Sequence, residues 1–147
     1  MKIVLCRVDE RLIHGEIVNK WLTFFRPTHI LIVDDELIHD EFMCLIYRAL
    51  VPIWVKPQIL SVKDAVEFLK NSSSEDSSVI VLAKTPVEFL KMAEEGTEFQ
   101  TITLADKMYF PNKLKIPIEY EKAIQQLKER GILVVAQNAP EDSALEI

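Results

Sequence analysis

The sequence contains few of the features that mark disulfide-rich, membrane-spanning or secreted proteins. Only two cysteines occur in 147 residues, and Cys6 and Cys44 both lie in apolar patterns, so we expect free buried thiols. No apolar run approaches the ~20 residues of a membrane span. The apolar run 1–6 is shorter than that of a signal peptide. We therefore expect a cytoplasmic protein.

The chain also lacks an excess of positive charge. Its formal net charge of -6 argues against a nucleic-acid binder, because such a protein needs a basic face to displace counterions from phosphates. Its length, its three glycines and its 49% hydrophobic content are typical of one compact globular domain. We find no internal repeat and expect a single domain over residues 1–147.

Apolar runs typical of buried strands alternate with helical spacings along the chain. The predicted strands are 2–8, 29–33, 53–60, 79–83, 101–104 and 132–136. The predicted helices are 16–25, 38–50, 61–69, 86–96 and 119–130. This alternation predicts an α/β fold, a mainly parallel open sheet with helices on both faces and room for an antiparallel edge strand.

Local signals refine some of these elements. Pro57 indicates that strand 53–60 lies at an edge or contains a bulge. Thr85 is predicted to cap a helix, with Glu88 completing a capping box. Residues 107–118 are predicted to be irregular, with one short strand.

Polar residues follow several predicted strands. In parallel sheets, ligands bind beyond the carboxyl ends of the strands, so His14, Asp34 and Thr85 are predicted to share one edge. Backbone N–H groups near Gly15 and at 85–87 would be available to an anion there.

His14, beside a glycine and just after the first strand, is the residue most suited to chemistry. Imidazole has an unperturbed pKa near ~6.5 and is a competent nucleophile, so it can accept and pass on a phosphoryl group. Arg7 and Arg11 could neutralise the incoming dianion. Asp9 or Glu10 could accept a hydrogen bond from one ring nitrogen and leave the lone pair on the other. We interpret His14 as a phosphoryl carrier.

Two other groups of residues could in principle carry a phosphoryl group in place of His14. Asp34 and Asp35, with Lys84, resemble the acidic site of receiver domains, but the acidic pair follows the second strand rather than the first, so we interpret it as a helix cap and loop pair. A phosphatase-type loop at Cys6 would need arginine six positions later, where this chain has Leu12. We expect neither a metal nor a reactive Cys6.

The segment RVDERLIHGEIVNKW resembles the opening motif of the IIB component of the mannose/sorbose-type sugar phosphotransferase system, whose usual form is RIDDRLIHGQV. The likeness is specific around His14. The α/β order, the total length and the Lys84-Thr85-Pro86 element after a strand extend it over most of the chain.

This resemblance implies a phosphotransferase with neither metal nor cofactor. His14 would accept a phosphoryl group, on Nδ1, from a phosphohistidine of the IIA partner and pass it to a sugar carried by the IIC and IID membrane subunits. The protein would then associate peripherally with a membrane transporter complex. The implied catalytic residues are His14, Asp9 and Arg11, and the implied phosphate-binding residues are Arg7, Gly15 and Thr85.

Two departures from the family pattern add carboxylates. Glu16 stands where glutamine is usual, and Asp106-Lys107-Met108 replaces Gly-Gly-Met, with Lys107 offsetting part of the added charge. Two unit charges ~6 Å apart at an effective dielectric of ~20 repel by roughly 3 kcal/mol before screening. We therefore expect phosphorylation with altered donor or acceptor preference, and keep as the alternative a non-transferring regulatory or binding relative. The sugar and the oligomeric state, including a homo-oligomer, stay open.

Overall fold

The computed structural model describes residues 1–71, 76–105 and 116–147. Within them, one seven-stranded sheet has the order β3-β2-β4-β1-β5-β6-β7. Its strands are β1 Lys2–Val8, β2 His29–Val33, β3 Lys56–Leu60, β4 Ser78–Ala83, β5 Thr101–Leu104, β6 Leu133–Ala136 and β7 Leu145–Glu146. Most of the segment predicted to be irregular, and Asp106 with it, lies outside the described residues.

The helices connect successive strands. They are a π-helical turn Ile17–Trp21 that continues into α1 Leu22–Phe25, a 3-10 turn Leu37–His39, α2 Glu41–Leu50, α3 Val62–Asn71, α4 Pro86–Glu94 and α5 Ile118–Glu129. Positive φ angles at Gly96 and Gly131 end α4 and α5, because glycine adopts this conformation without a Cβ penalty. Both helix ends confirm the prediction.

The sheet is parallel except at one edge. β1 pairs with β4 and β5, β2 with β3 and β4, and β5 with β6, all in parallel. β7 pairs antiparallel with β6. The predicted α/β class and its antiparallel edge strand are confirmed, and Pro57 lies in β3, the other edge strand, where a missing N–H costs no ladder hydrogen bond.

Two hydrophobic cores lie on opposite faces of the sheet. On β4, Val79, Val81 and Ala83 pack with buried residues of α3, α4 and α5. Ile80 and Leu82 pack on the other face with the π-helical turn, α1 and α2. Because strand side chains alternate between faces, a strand of continuous apolar sequence serves both cores. Helices therefore cover both faces, as predicted.

Two element boundaries differ from the prediction. β3 begins at Lys56 rather than at residue 53, since a turn in which Val55 N–H donates to the Pro52 carbonyl (3.1 Å) precedes it. The helix predicted from residue 38 is divided: the 3-10 turn ends at His39, and Asp40 caps α2 by accepting from Met43 N–H (3.0 Å). Short polar residues at N-caps commonly start a new helix in this way.

Among the described residues, the helices are all too short or too polar to cross a membrane.

Candidate functional site

The carboxyl ends of the central strands bring several polar residues to one edge. β1 and β4 end in register at Val8 and Ala83, and Asp9 N–H extends the ladder by donating to the Ala83 carbonyl (3.0 Å). Beyond β2, Asp34 Oδ2 lies 3.8 Å from Lys84 Nζ. The loops after β1, β2 and β4 are therefore neighbours, as the sequence predicts for His14, Asp34 and Thr85.

A tight turn after β1 reverses the chain. Leu12 N–H donates to the Asp9 carbonyl (3.0 Å), and Leu12 has φ 56°, in the left-handed region. A non-glycine residue there costs on the order of 1–2 kcal/mol. Leu12 is fully buried in the core beside the π-helical turn, and that burial offsets the cost. The turn brings His14 back to Asp9.

Asp9 is the centre of the hydrogen-bond network. Its carboxylate is 2% exposed. Oδ1 accepts from Arg11 N–H (3.0 Å) and Nε (3.1 Å), and Oδ2 accepts from Arg11 Nη2 (2.9 Å). Such a bidentate pairing fixes both side chains in one geometry.

His14 joins this network through one ring nitrogen. Its Nε2 lies 3.0 Å from Asp9 Oδ2, and its Nδ1 accepts from the Glu16 backbone N–H at 3.3 Å. A carboxylate only accepts, so Nε2 carries the proton and the lone pair lies on Nδ1. The ring is 16% exposed.

The charges of the network are set by burial and by each other. Burial lowers the pKa of His14 below its ordinary 6.5, against the opposing effect of Asp9. Burial acts to raise the pKa of Asp9, but the hydrogen bonds from Arg11, the charge that His14 carries once it is protonated at acidic pH, and the charge of Arg11 hold it below its usual value. The site at neutral pH thus contains a neutral imidazole, a carboxylate and a guanidinium.

Arg11 faces a second carboxylate. Its Nη2 lies 3.7 Å from Glu16 Oε2, and the arginine side chain is 35% exposed. The pKa of Arg11 is raised, first by its hydrogen bond to Asp9 and less by Glu16. The sequence predicts that Glu16 adds charge near the site, but it does not predict the contact between Glu16 and Arg11.

Helical conformation begins directly after His14, at Gly15. A Cβ at Gly15 would meet only Asn19 Nδ2, at 4.0 Å. The unphosphorylated protein therefore has room for a small side chain at this position. In the π-helical turn, Leu22 N–H donates to the Ile17 carbonyl. Such turns are rare and occur frequently at functional sites.

Arg7, which the resemblance implies as a phosphate ligand, has its guanidinium engaged by backbone carbonyls inside the protein. It is fully buried, and its guanidinium donates to the carbonyls of Gln137 (2.7 Å) and Asn138 (3.1 Å). The same group lies 5.0 Å from the centre of the Trp21 ring. A buried arginine with these partners connects β1 to the segment after β6.

Thr85 lies at the start of α4, as predicted, but its hydroxyl is already engaged. Thr85 Oγ1 accepts from Val87 N–H (3.1 Å) and donates to Glu88 Oε2. Pro86 has no N–H to offer. The helix cap therefore occupies the Thr85 hydroxyl. It also occupies the Val87 N–H, one of the backbone groups that the sequence predicts to be available to an anion.

Asp34 and Asp35 stabilise loops. Asp34 Oδ1 accepts from Glu36 and Leu37 N–H (3.0 and 2.8 Å), and Asp35 Oδ1 accepts from Val62 N–H (2.8 Å) at the start of α3. This confirms their interpretation as a cap and loop pair. The described ranges hold no group of three or more histidine, cysteine or acidic side chains that could bind a metal ion.

Cys6 is buried in the core under α3, α4 and α5. Burial strongly raises the pKa of its thiol, and a buried neutral thiol is a poor nucleophile. Cys44 is buried as well, and both cysteines are free, as predicted.

The chain is similar to proteins of sugar phosphotransferase systems. The sorbose-specific EIIB component of Klebsiella pneumoniae is 28% identical over 116 residues, which are 79% of this chain and 71% of that protein. The mannose-specific EIIAB component of Escherichia coli (strain K12) is 22% identical over 153 residues, which are 100% of this chain and 47% of that protein. The crystal structure of the IIBSor domain of the sorbose permease from Klebsiella pneumoniae matches with a TM-score of 0.87 at 24% identity, covering 99% of this chain and 93% of that one.

The family model that matches the chain, together with these likenesses, defines the class of the protein, a phosphotransferase of the sugar phosphotransferase system (PTS). The model of the family "PTS system sorbose subfamily IIB component" matches residues 3–147. The chain belongs to this family of IIB components, which confirms the resemblance drawn from the motif around His14.

Proposed function

We propose that His14 carries the phosphoryl group, and that Nδ1 is the atom that accepts it. The observation that carries this proposal is the 3.0 Å contact between His14 Nε2 and Asp9 Oδ2. Because this contact holds the proton on Nε2, the lone pair on Nδ1 is available for attack.

Phosphoryl transfer from the donor phosphohistidine to His14 requires no cofactor. The Nδ1 lone pair forms a bond to phosphorus as the N–P bond of the donor phosphohistidine breaks, and the donor imidazole keeps that electron pair. The His14 ring gains positive charge as the bond forms. Asp9 stabilises this charge through the Nε2 proton, in the way that a buried carboxylate stabilises an imidazolium.

The surroundings of Nδ1 suit a phosphoryl group. In the unphosphorylated protein, Nδ1 accepts a hydrogen bond from Glu16 N–H (3.3 Å). Once Nδ1 is bonded to phosphorus, that N–H is free to donate to a phosphoryl oxygen at the start of the helix. Arg11 supplies the positive charge. Gly15 leaves the approach free of a side chain, and Thr85 would have to give up its contact with Glu88 before it could donate.

The partners follow from the family. We infer that a IIA phosphocarrier supplies the phosphoryl group, and that a sugar carried by IIC and IID membrane subunits receives it, so the protein acts at the cytoplasmic side of the membrane. The likeness to a mannose-specific protein named EIIAB, of which this chain matches 47%, supports an association with a IIA unit.

Incubation with phosphorylated upstream carriers, followed by mass measurement and an acid-lability test, checks the proposal. We expect one acid-labile phosphoryl group on the wild type and none on His14→Ala. His39→Ala, which removes an exposed histidine, is the matched control and should be labelled like the wild type.

A second function is favoured by one observation. Arg11 is already paired with two carboxylates, Asp9 and Glu16, which suits a relative that binds partners without transferring phosphoryl groups. The absence of label on the wild type from any cognate donor would favour that function and contradict the first.

A further inference from the structure

Glu16 contacts the site with both its backbone and its side chain. Its N–H donates to His14 Nδ1 (3.3 Å), and its Oε2 lies 3.7 Å from Arg11 Nη2. A phosphoryl group on Nδ1 would need two partners, the Glu16 N–H at the start of the helix and the Arg11 guanidinium. In this structure the N–H donates to Nδ1 and the guanidinium is paired with the Glu16 carboxylate.

We propose that Glu16 is a positioning residue, an internal anion that the phosphoryl group must displace from Arg11. This inference rests on the proposed function of His14. Because displacement opposes phosphorylation, Glu16 lowers the fraction of protein that is phosphorylated at equilibrium and favours onward transfer.

The two carboxylates beside Arg11 differ in how firmly they are held. Asp9 is 2% exposed and accepts three hydrogen bonds from Arg11 besides its contact with His14. Glu16 is 25% exposed and makes a single, longer contact with the arginine. Exposed ion pairs contribute little to stability, whereas a buried charge that loses its partner is costly. Glu16 is thus the carboxylate that moves.

The movement follows from the backbone contact. When Nδ1 bonds to phosphorus it stops accepting from Glu16 N–H, and phosphoryl oxygens come within reach of that N–H. The dianion then lies between the Glu16 backbone and Arg11. The dianion replaces the Glu16 carboxylate as the partner of Arg11, and the Glu16 side chain moves toward solvent, to which it is already partly open.

The test compares Glu16→Gln with Glu10→Gln. Both variants remove one negative charge from the segment that follows β1, and Glu10 is exposed without being part of the proposed machinery. The measured quantity is the ratio of phosphorylated to unphosphorylated protein at equilibrium with a phosphorylated IIA partner. We expect this ratio to rise about tenfold for Glu16→Gln, equivalent to about 1.4 kcal/mol, and to stay within about twofold for Glu10→Gln, because exposed charges are screened.

A double-mutant cycle identifies the route of the effect. Both backgrounds are labelled with the same small chemical donor, phosphoramidate, and in the Arg11→Gln background Glu16→Gln should change the labelled-to-unlabelled ratio by less than about twofold, because the contact with Arg11 is already lost. A full effect in that background would overturn the inference in favour of direct repulsion.

The remaining outcomes separate the inference from the proposed function. A labelled wild type with an unchanged ratio in Glu16→Gln overturns the inference alone. If neither the wild type nor the variants take up label from either donor, the proposed function fails and the inference fails with it.

Discussion

At the scale of single residues, Asp9 organises the site. One carboxylate holds the proton on His14 Nε2 and fixes Arg11 in a bidentate geometry. The same contacts keep its own pKa low, so it stays ionised where the imidazole is neutral. Nucleophile and counter-charge are therefore arranged before the phosphoryl group arrives.

The protonation of His14 gives a pH prediction. Burial lowers its pKa below 6.5, and only the neutral ring can attack. Phosphoryl uptake should therefore stay constant as the pH falls to 6.5 and decline only as the pH passes through the lowered pKa. The unfolded chain binds the proton more tightly, so the contribution of His14 to stability is complete above pH 6.5 and is lost below it.

An NMR titration of the His14 ring, with the denatured chain as reference, measures this shift. Asp9→Asn removes a charge that raises the pKa, so its midpoint should fall further still. A titration midpoint at or above pH 6.5 for His14 in the wild type would contradict the conclusion that burial lowers the pKa of this ring.

Arg7 gives a second residue-scale prediction, which concerns stability. Arg7→Met leaves the carbonyls of Gln137 and Asn138 without their buried cationic donor, so the free energy of unfolding should fall by about 3 kcal/mol. Arg48→Met, at an exposed position, should change it by less than about 0.5 kcal/mol. Urea unfolding measures both. Loss of phosphoryl uptake by folded Arg7→Met would instead support a role for Arg7 in binding phosphate.

The sequence predicts part of this site well. His14 and Asp9 are five residues apart within one loop, so their contact depends on a local turn that the motif contains. Arg7 could not be placed in this way, because the carbonyl that it binds lies 130 residues away. The contact between Glu16 and Arg11 depends on where the helix begins, which periodicity sets only within a few residues.

At the scale of elements, the strands were the most predictable. Continuous apolar runs bounded by polar residues gave β1, β2 and β4 nearly to the residue, because central strands are buried on both faces. The π-helical turn was not predicted, since its apolar spacing resembles that of an ordinary helix. β7 has only two residues, and both are exposed, so no apolar run marks it.

The start of α4 carries the element-scale prediction. Thr85→Ala removes the oxygen that accepts from Val87 N–H and should lower stability by about 1 kcal/mol, or the melting temperature by about 3 °C. Thr85→Ser keeps the oxygen and should retain most of the stability. Equal melting temperatures for the alanine variant and the wild type would show that the cap contributes nothing.

At the scale of the whole molecule, the hydrophobic cores on the two faces of the sheet determine which side chains are accessible to reagents. Helices on both faces bury the sheet, so Cys6 and Cys44 are 3% and 5% exposed, while His14 lies at an open edge. We expect iodoacetamide to modify neither cysteine in the native protein and both after denaturation, as counted by mass. Alkylation of native Cys6 that blocks phosphoryl uptake without unfolding would point to a thiol carrier instead.

The proposed function depends most directly on which atom carries the phosphoryl group. Long-range proton–nitrogen correlation NMR of the phosphorylated protein, with nitrogen-15 in the histidine rings, identifies this atom directly. We predict phosphorus on Nδ1 of His14 with a proton on Nε2. Phosphorus on Nε2, or on any other residue, would contradict the tautomer that Asp9 imposes and the function proposed from it.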